Sequence, residues 1–161
     1  MVMSIQEVIQ TKQFSLESFR NTRKRWEFEG HKLVFTNGCF DLLHAGHIHL
    51  LANAAQLGDR LVVALNSDSS VAKLKGEGKP ITKQDDRSAI LASIFYVNAV
   101  IIFQEDTPLD LIKTIKPEVL VKGGDYNADE IVGSKEVKAN GGTVEIIPFL
   151  EGYSTTAIID R

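Results

Sequence analysis

The short stretch TNGCFDLLHAGHIHLL extends from Thr36 to Leu51 and directly follows an apolar run. It contains three histidines and one acidic residue. His44 and His47 are three residues apart, so they share a face if this segment is helical. At a helix N-terminus the free backbone N–H groups and the helix dipole attract anions, and two imidazoles can donate hydrogen bonds to phosphoryl oxygens there. His49 falls about 200° around the helix from His47 and faces elsewhere. The spacing therefore predicts a phosphate site at His44 and His47.

Two other interpretations of these histidines remain open. A histidine at a helix start can simply cap the helix or pack against it. The three histidines could also hold a metal ion. That interpretation is disfavoured, because the common helical ligand pair is spaced i, i+4 and its third ligand lies elsewhere in the chain.

Short runs rich in Val, Ile and Leu alternate with helical segments from Lys32 onward. The runs KLVFTN, RLVVALN, AVIIF, EVLVKG and TVEIIP are typical of strands that are buried on both faces. Helices are predicted over about Gly46–Leu57, Lys83–Tyr96, Pro108–Ile115 and Gly133–Asn140. This alternation predicts an α/β fold, a doubly wound Rossmann-like sheet of five parallel strands with helices on both faces. We expect one domain over residues 1–161, with a helical N-terminal extension (1–30) and a core (31–161).

Ligands in doubly wound sheets bind at the carboxyl ends of the strands, near the switch in strand order. After the first strand, Asn37 and Gly38 permit a tight turn, and Gly46 permits a ligand to approach the helix start closely. After the fourth strand, the glycines of VKGGDY permit close approach of a nucleoside beside Lys122 and Asp125, although Gly-Gly-Asp is also ordinary turn chemistry. The third strand end, FQEDT, is typical of a helix cap. The other strand ends therefore predict a ligand-binding edge.

The composition excludes several classes of protein. A chain of 161 residues with 43% hydrophobic and 24% charged residues is typical of a soluble globular domain. The net charge of −3 disfavours a nucleic-acid-binding protein. No apolar run is long enough to span a membrane, and the first residues lack a secretion signal, so we expect a cytoplasmic protein with no membrane partner. The single cysteine, Cys39, excludes an internal disulfide and fits a reducing compartment.

FTNGCFDLLHAGHIHLL resembles the GxFDxxHxGH signature of the cytidylyltransferase-like nucleotidyltransferases. LKGEGKPITKQDDR, VKGGDY and GYSTTAIIDR resemble the later motifs of one branch, the adenylyltransferase domain of bifunctional ADP-heptose synthase. The resemblance runs from about Phe14 to Arg161. It implies a reaction in which a sugar-phosphate oxygen attacks the α-phosphorus of a nucleoside triphosphate and expels pyrophosphate.

The resemblance also implies roles for individual residues. His44 and His47 match the signature histidines and stabilise the transition state, and Lys75, or its neighbour Lys79, contacts phosphates or substrate. Contacts with the nucleotide or its phosphates are implied for Thr36, Asn37, Gly38, Cys39, Phe40, Asp41, Gly46, Arg87, Lys122, Gly124, Asp125, Ser154, Thr155 and Thr156.

Several of these assignments leave an alternative open. Asp41 matches the signature acid and is the nearest candidate for a Mg²⁺ ligand, but a helix cap is an equal alternative. No protein ligand is predicted, because Mg²⁺ on a triphosphate keeps mainly water and phosphate ligands. Cys39 is expected to be a small filler, with nothing nearby in sequence to activate it as a nucleophile. Many relatives carry ISSTxxR; Ile159 stands at the position of that arginine, which leaves the role of Arg161 open.

The implied reaction transfers AMP from ATP, which carries Mg²⁺, to D-glycero-β-D-manno-heptose 1-phosphate and yields ADP-heptose. The implied partners are a second copy of the chain, in a dimer or larger homo-oligomer, and a separate sugar kinase of the same lipopolysaccharide precursor pathway. Two alternatives remain. One is a glycerol-3-phosphate cytidylyltransferase-like enzyme that uses CTP, and the other is a non-catalytic nucleotide-binding module.

Overall fold

The computed structural model describes residues 2–159, and within them six strands form one parallel sheet. The sheet order is β1-β4-β3-β2-β5-β6, and every neighbouring pair is parallel. Short apolar strands buried on both faces are expected to form such a sheet, and the predicted α/β fold class is confirmed. The strands are β1 (Gln13–Phe14), β2 (Leu33–Gly38), β3 (Arg60–Asn66), β4 (Ala99–Phe103), β5 (Val119–Gly123) and β6 (Thr143–Ile147).

The sixth strand corrects the predicted count of five. Gln13 and Phe14 pair with Val100 and Ile101 at the edge of the sheet, inside the segment that was expected to be wholly helical. A two-residue strand with one polar member has no apolar periodicity, so the sequence gives no signal for it.

Helices cover both faces of the sheet. The four predicted helices are present within a few residues of their expected bounds, as α3, α5, α6 and α7. The short helix α4, beside the sheet, was not predicted, whereas α1 and α2 lie in the N-terminal extension that was expected to be helical. The helices are α1 (Ile5–Gln10), α2 (Leu16–Phe28), α3 (Ala45–Ala55), α4 (Asp68–Lys75), α5 (Gln84–Ser93), α6 (Leu109–Ile115), α7 (Ser134–Ala139) and α8 (Thr155–Ile159), with a 3₁₀ turn at Ala128–Glu130.

Alternating side chains of the central strand, β2, separate the core into two layers. Leu33 and Phe35 pack in one layer with Trp26 of α2 and with the apolar residues of α6 and α7. Val34 packs in the other layer with Leu51 of α3 and with residues of α5. Because successive strand residues face opposite sides, we refer below to the α6 face and the α3 face of the sheet.

The strand order places a switch point between β2 and β5. Chain connections run from β2 outward through β3 to β4, whereas β5 and β6 lie on the other side of β2. A crevice is expected outside the carboxyl ends of the two strands that flank such a switch. Here those ends are Gly38 and Gly123.

Within residues 2–159, no helix has the length and apolar character needed to cross a membrane.

Candidate active site

A cavity of about 590 Å³ lies over the carboxyl ends of β2 and β5, at the switch point. It is lined by nine of the residues that the sequence singles out: Asn37, Gly38, Cys39, Phe40, Asp41, His47, Lys75, Lys122 and Thr155. The other candidates do not line this cavity among the residues described: Thr36, His44, Gly46, Arg87, Gly124, Asp125, Ser154 and Thr156. Arg161 lies outside the described residues.

His44 and His47 form a reciprocal cap at the start of α3. The Nδ1 atom of His44 accepts a hydrogen bond from the Gly46 N–H at 3.1 Å, and Nδ1 of His47 lies 3.4 Å from the His44 backbone N, as its acceptor. The two rings stack with their centroids 3.9 Å apart. Since Nδ1 is an acceptor in both rings, the proton of each neutral imidazole is assigned to Nε2. Capping and phosphate binding are therefore compatible, because they use different nitrogens.

The electrostatic surroundings keep both imidazoles neutral near pH 7. The pKa of His47 is lowered from 6.5 to about 4, mainly by burial and further by repulsion from Lys75 and from His44 whenever that ring is protonated. Burial also lowers the pKa of His44. Each ring therefore presents an N–H donor without carrying a full charge, and neither Nε2 has a hydrogen-bond partner within residues 2–159. Such donors suit the oxygen atoms of a phosphate that gains charge in a transition state.

Gly46 makes room for the ring of His44 at the start of α3. A Cβ atom at this position would lie 2.9 Å from Cε1 and Nδ1 of the His44 ring and 3.3 Å from Cβ of Tyr153. The position of a Cβ atom is thus filled by the ring that caps the helix, and the close approach of a ligand at Gly46 stays a prediction. A glycine is needed because the His44 side chain folds back over its own first turn.

Asp41 anchors a distant loop and does not cap α3. Its carboxylate accepts hydrogen bonds from the backbone N–H of Ile81, at 2.9 Å to each oxygen, and of Thr82, at 2.8 Å. The helix-cap alternative is wrong, since His44 occupies that position. The direct phosphate contact stays a prediction, but Asp41 already fixes the loop that connects α4 to α5 against the first turn of the site.

Arg87 is a buried structural side chain, which corrects the expectation that it points at an anion. It is 1% exposed, and its guanidinium donates to the carbonyl oxygens of Thr82 (2.8 Å), Cys39 (2.6 Å) and Asn66 (2.9 Å). Its Nη2 also pairs with Asp68 at 2.8 Å. These acceptors occupy the guanidinium, so Arg87 ties together the loops that follow β2 and β3.

Two lysines, Lys75 and Lys122, and the thiol of Cys39 line the cavity. Lys75 is the last residue of α4. Lys122, at the end of β5, is half-buried, and burial lowers its pKa. Burial raises the pKa of the Cys39 thiol, although Lys75 and Lys122 oppose this shift. A raised pKa is inconsistent with an activated thiolate, in line with the expectation that Cys39 is a filler.

The cavity-lining residues that the sequence did not predict include two aromatic residues, Tyr126 and Phe149, and two polar residues, Asp106 and Thr107. Tyr126 and Phe149 lie over Gly124, whose φ is +131°, so that a Cβ atom there would come within 2.6 Å and 3.1 Å of their rings. Asp106 and Thr107 come from FQEDT, which was expected only to cap a helix. In fact α6 begins without a side-chain cap hydrogen bond, and both residues line the cavity. The aromatic ring in VKGGDY was the available signal for Tyr126, whereas Phe149 had none.

The donors of the site do not form a metal-binding cluster. In the part of the chain that the structure describes, no group of three or more His, Cys, Asp or Glu residues could hold a metal ion. Asp41, the nearest candidate, already accepts the N–H groups of Ile81 and Thr82. His49 is engaged with Asn53, whose Nδ2 lies 3.4 Å from its Nδ1.

Comparison with known proteins gives consistent matches. The profile of the cytidylyltransferase-like family matches residues 35–161. The chain is 60% identical over 130 residues to the bifunctional protein HldE of Campylobacter concisus and 54% identical over 137 residues to that of Koribacter versatilis. These matches cover 81% and 85% of this chain but only 27% and 28% of the relatives, so the chain spans less than a third of their length. A lipopolysaccharide core biosynthesis protein from Thermoplasma volcanium is similar in structure, with a TM-score of 0.63 at 30% identity, over 78% of this chain and 100% of that one.

Proposed function

The chain belongs to the cytidylyltransferase-like family and is a nucleotidyltransferase, and from this premise we propose that it transfers AMP from ATP to D-glycero-β-D-manno-heptose 1-phosphate. The products are ADP-heptose and pyrophosphate. The observation that carries the proposal is the stacked pair of His44 and His47, with both Nε2–H groups left for a ligand at the start of α3. The similarity to HldE proteins and to a lipopolysaccharide core biosynthesis protein supports the choice of a heptose substrate.

In this mechanism the protein positions the reactants and stabilises charge, and it supplies no nucleophile. The Nε2–H groups of His44 and His47 donate to oxygens of the triphosphate, at the positive end of the α3 dipole. Lys75, which also lines the cavity, adds an ammonium group for the phosphates. Arg87 and Asp41 act on this geometry indirectly, because they hold the loops of the site in place.

Mg²⁺ arrives in this proposal with the triphosphate. Phosphate oxygens and water satisfy its preference for an octahedral set of oxygen ligands, and the described residues offer no preformed cluster for it. Its chemical contribution is to neutralise charge on the phosphates that leave as pyrophosphate.

The nucleoside half of the substrate fits the side of the cavity near Gly124, where Tyr126 and Phe149 offer exposed aromatic side chains. The sugar 1-phosphate must be made by a kinase activity that lies outside these 161 residues, on a separate protein or a further domain. We also propose that the chain acts as a dimer or larger homo-oligomer, as its family resemblance implies.

A pyrophosphate-release assay tests the proposal. Purified protein is given ATP or CTP in combination with a panel of sugar 1-phosphates and with glycerol 3-phosphate. We expect release only with ATP and a heptose 1-phosphate. Release with CTP and glycerol 3-phosphate would favour the cytidylyltransferase alternative, and ATP binding without release under any condition would favour a non-catalytic nucleotide-binding module.

A further inference from the structure

Lys122 is a half-buried ammonium group without a partner. It lines the cavity at the end of β5, and it has no hydrogen bond or ion pair with any residue from 2 to 159. Lysine is seldom buried unless its charge is paired. Burial lowers its pKa, and only the neighbouring Cys39 opposes this shift. The fold therefore holds a poorly solvated positive charge at the cavity floor, which is favourable once an anion binds there.

The side chain of Lys122 projects to the α6 face of the sheet, opposite the histidine pair. Val119 and Val121 pack in the core layer of the α3 face, and Leu120 packs in the other layer. A Cβ atom at Gly123 would meet Leu50 of α3 at 3.1 Å, so position 123 also faces α3. Because strand residues alternate, Lys122 lies on the other face from His44, His47 and the start of α3.

This separation matches the geometry of the proposed reaction. An oxygen of the acceptor phosphate forms a bond to the α-phosphorus, while the bond from that phosphorus to the bridging oxygen of pyrophosphate breaks and leaves its electron pair on the oxygen. The attacking and leaving oxygens lie roughly in line, on opposite sides of the phosphorus. If the histidines and the N-terminus of α3 hold the leaving pyrophosphate, the attacking phosphate approaches from the α6 face.

We propose that Lys122 binds the phosphate group of the acceptor sugar 1-phosphate and thereby selects a phosphorylated acceptor. This inference rests on the proposed function. A phosphate monoester is largely a dianion at pH 7, so it needs a cation to hold it and no base to deprotonate it. Thr107 and Glu130 also line the cavity and can hydrogen-bond to hydroxyl groups of the sugar.

The kinetic test separates the two substrates. Lys122→Gln removes the charge with little change in size, Lys122→Arg retains the charge, and Lys135→Gln is the matched control because Lys135 is exposed on α7. Loss of a charge-assisted hydrogen bond predicts a rise of about 10- to 100-fold in the KM for the sugar 1-phosphate. The KM for ATP should stay within about twofold. Lys122→Arg should recover part of the loss, and the control should match the wild type.

A labelling experiment on the wild-type protein gives a second readout that does not depend on the folding of a variant. Lysines are acetylated with acetic anhydride in the presence of α,β-methylene-ATP, which cannot undergo the reaction, and the modification is located by mass spectrometry. Addition of the sugar 1-phosphate should slow the labelling of Lys122, while the nucleotide analogue alone should not. Labelling of Lys135 should be unchanged throughout.

The results distinguish a failure of the Lys122 inference from a failure of the proposed function. The inference is overturned if Lys122→Gln raises the KM for ATP and not for the sugar phosphate, if neither KM changes, or if the nucleotide analogue alone protects Lys122. These results leave the proposed function standing, provided the wild type still releases pyrophosphate. Failure of the wild type to release pyrophosphate with any sugar 1-phosphate would overturn the proposed function and this inference together.

Discussion

The two roles of His44 can be separated by a pair of substitutions. Its Nδ1 caps α3 through the Gly46 N–H, and its Nε2–H is proposed to donate to a phosphate. His44→Ala removes both interactions. His44→Ser removes the imidazole but restores a cap, because serine is among the preferred N-cap residues. Comparison of the two variants therefore measures each role by itself.

The magnitudes follow from the hydrogen bonds. Loss of an N-cap costs about 1 kcal/mol of unfolding free energy, which lowers the thermal midpoint of a chain of this size by about 2–4 °C. His44→Ser should unfold within about 1 °C of the wild type, since its hydroxyl accepts the same class of backbone N–H. Loss of one donor to a transition-state oxyanion typically reduces turnover by about 100-fold or more, so both variants should lose activity to a similar extent.

The assay combines pyrophosphate release at saturating substrates with thermal unfolding followed by circular dichroism. A His44→Ser variant with turnover within threefold of the wild type would refute the proposed role of the imidazole. Loss of cooperative unfolding in both variants would instead assign His44 to packing.

Three further predictions concern Arg87, His47 and His49. Arg87→Met should lower the unfolding free energy by about 3 kcal/mol, since it leaves Asp68 and buried carbonyls unpaired; a normal thermal midpoint with a raised KM for ATP would restore a direct phosphate role. The pKa of His47 is about 4 in the folded chain and 6.5 ordinarily, so its contribution to stability is complete above pH 6.5 and is lost as the pH falls toward 4, where the unfolded chain binds the proton first. In urea titrations, His47→Gln should flatten the pH dependence of stability between pH 6.5 and 4, and an unchanged slope would contradict the lowered pKa. His49→Ala should retain turnover within about twofold in the pyrophosphate assay, and a loss as large as that of His47→Ala would revive a metal site.

Local sequence patterns predict much of the fold. The strand that begins at Leu33 and the helix that begins at Ala45 follow from apolar runs and a glycine turn, and both are found where they were expected. The strand at Gln13 could not be found, because two residues show no periodicity and pair only through the distant β4. Helix α4 was obscured by the glycines that follow it, at Gly76 and Gly78.

The site also contains residues that local sequence patterns predict and residues whose roles depend on tertiary packing. The histidine pair was predicted because a spacing of three residues, which is visible in the sequence, places two side chains on one face of a helix. The pair lies at the start of α3, in agreement with that spacing. The structural role of Arg87 was not predicted, since three of its partners are backbone carbonyls, which any residue type provides. The position of Lys122 on the α6 face also depends on the packing of β5, and no motif encodes that packing.

We infer that the histidine pair at the start of α3 belongs to an adenylyltransferase site. The most direct measurement is a single-turnover reaction of the wild-type protein, in excess, with ATP, Mg²⁺ and D-glycero-β-D-manno-heptose 1-phosphate. We expect pyrophosphate and ADP-heptose to appear together, in an amount equal to the ATP consumed. Bound ATP that yields no pyrophosphate would contradict this inference.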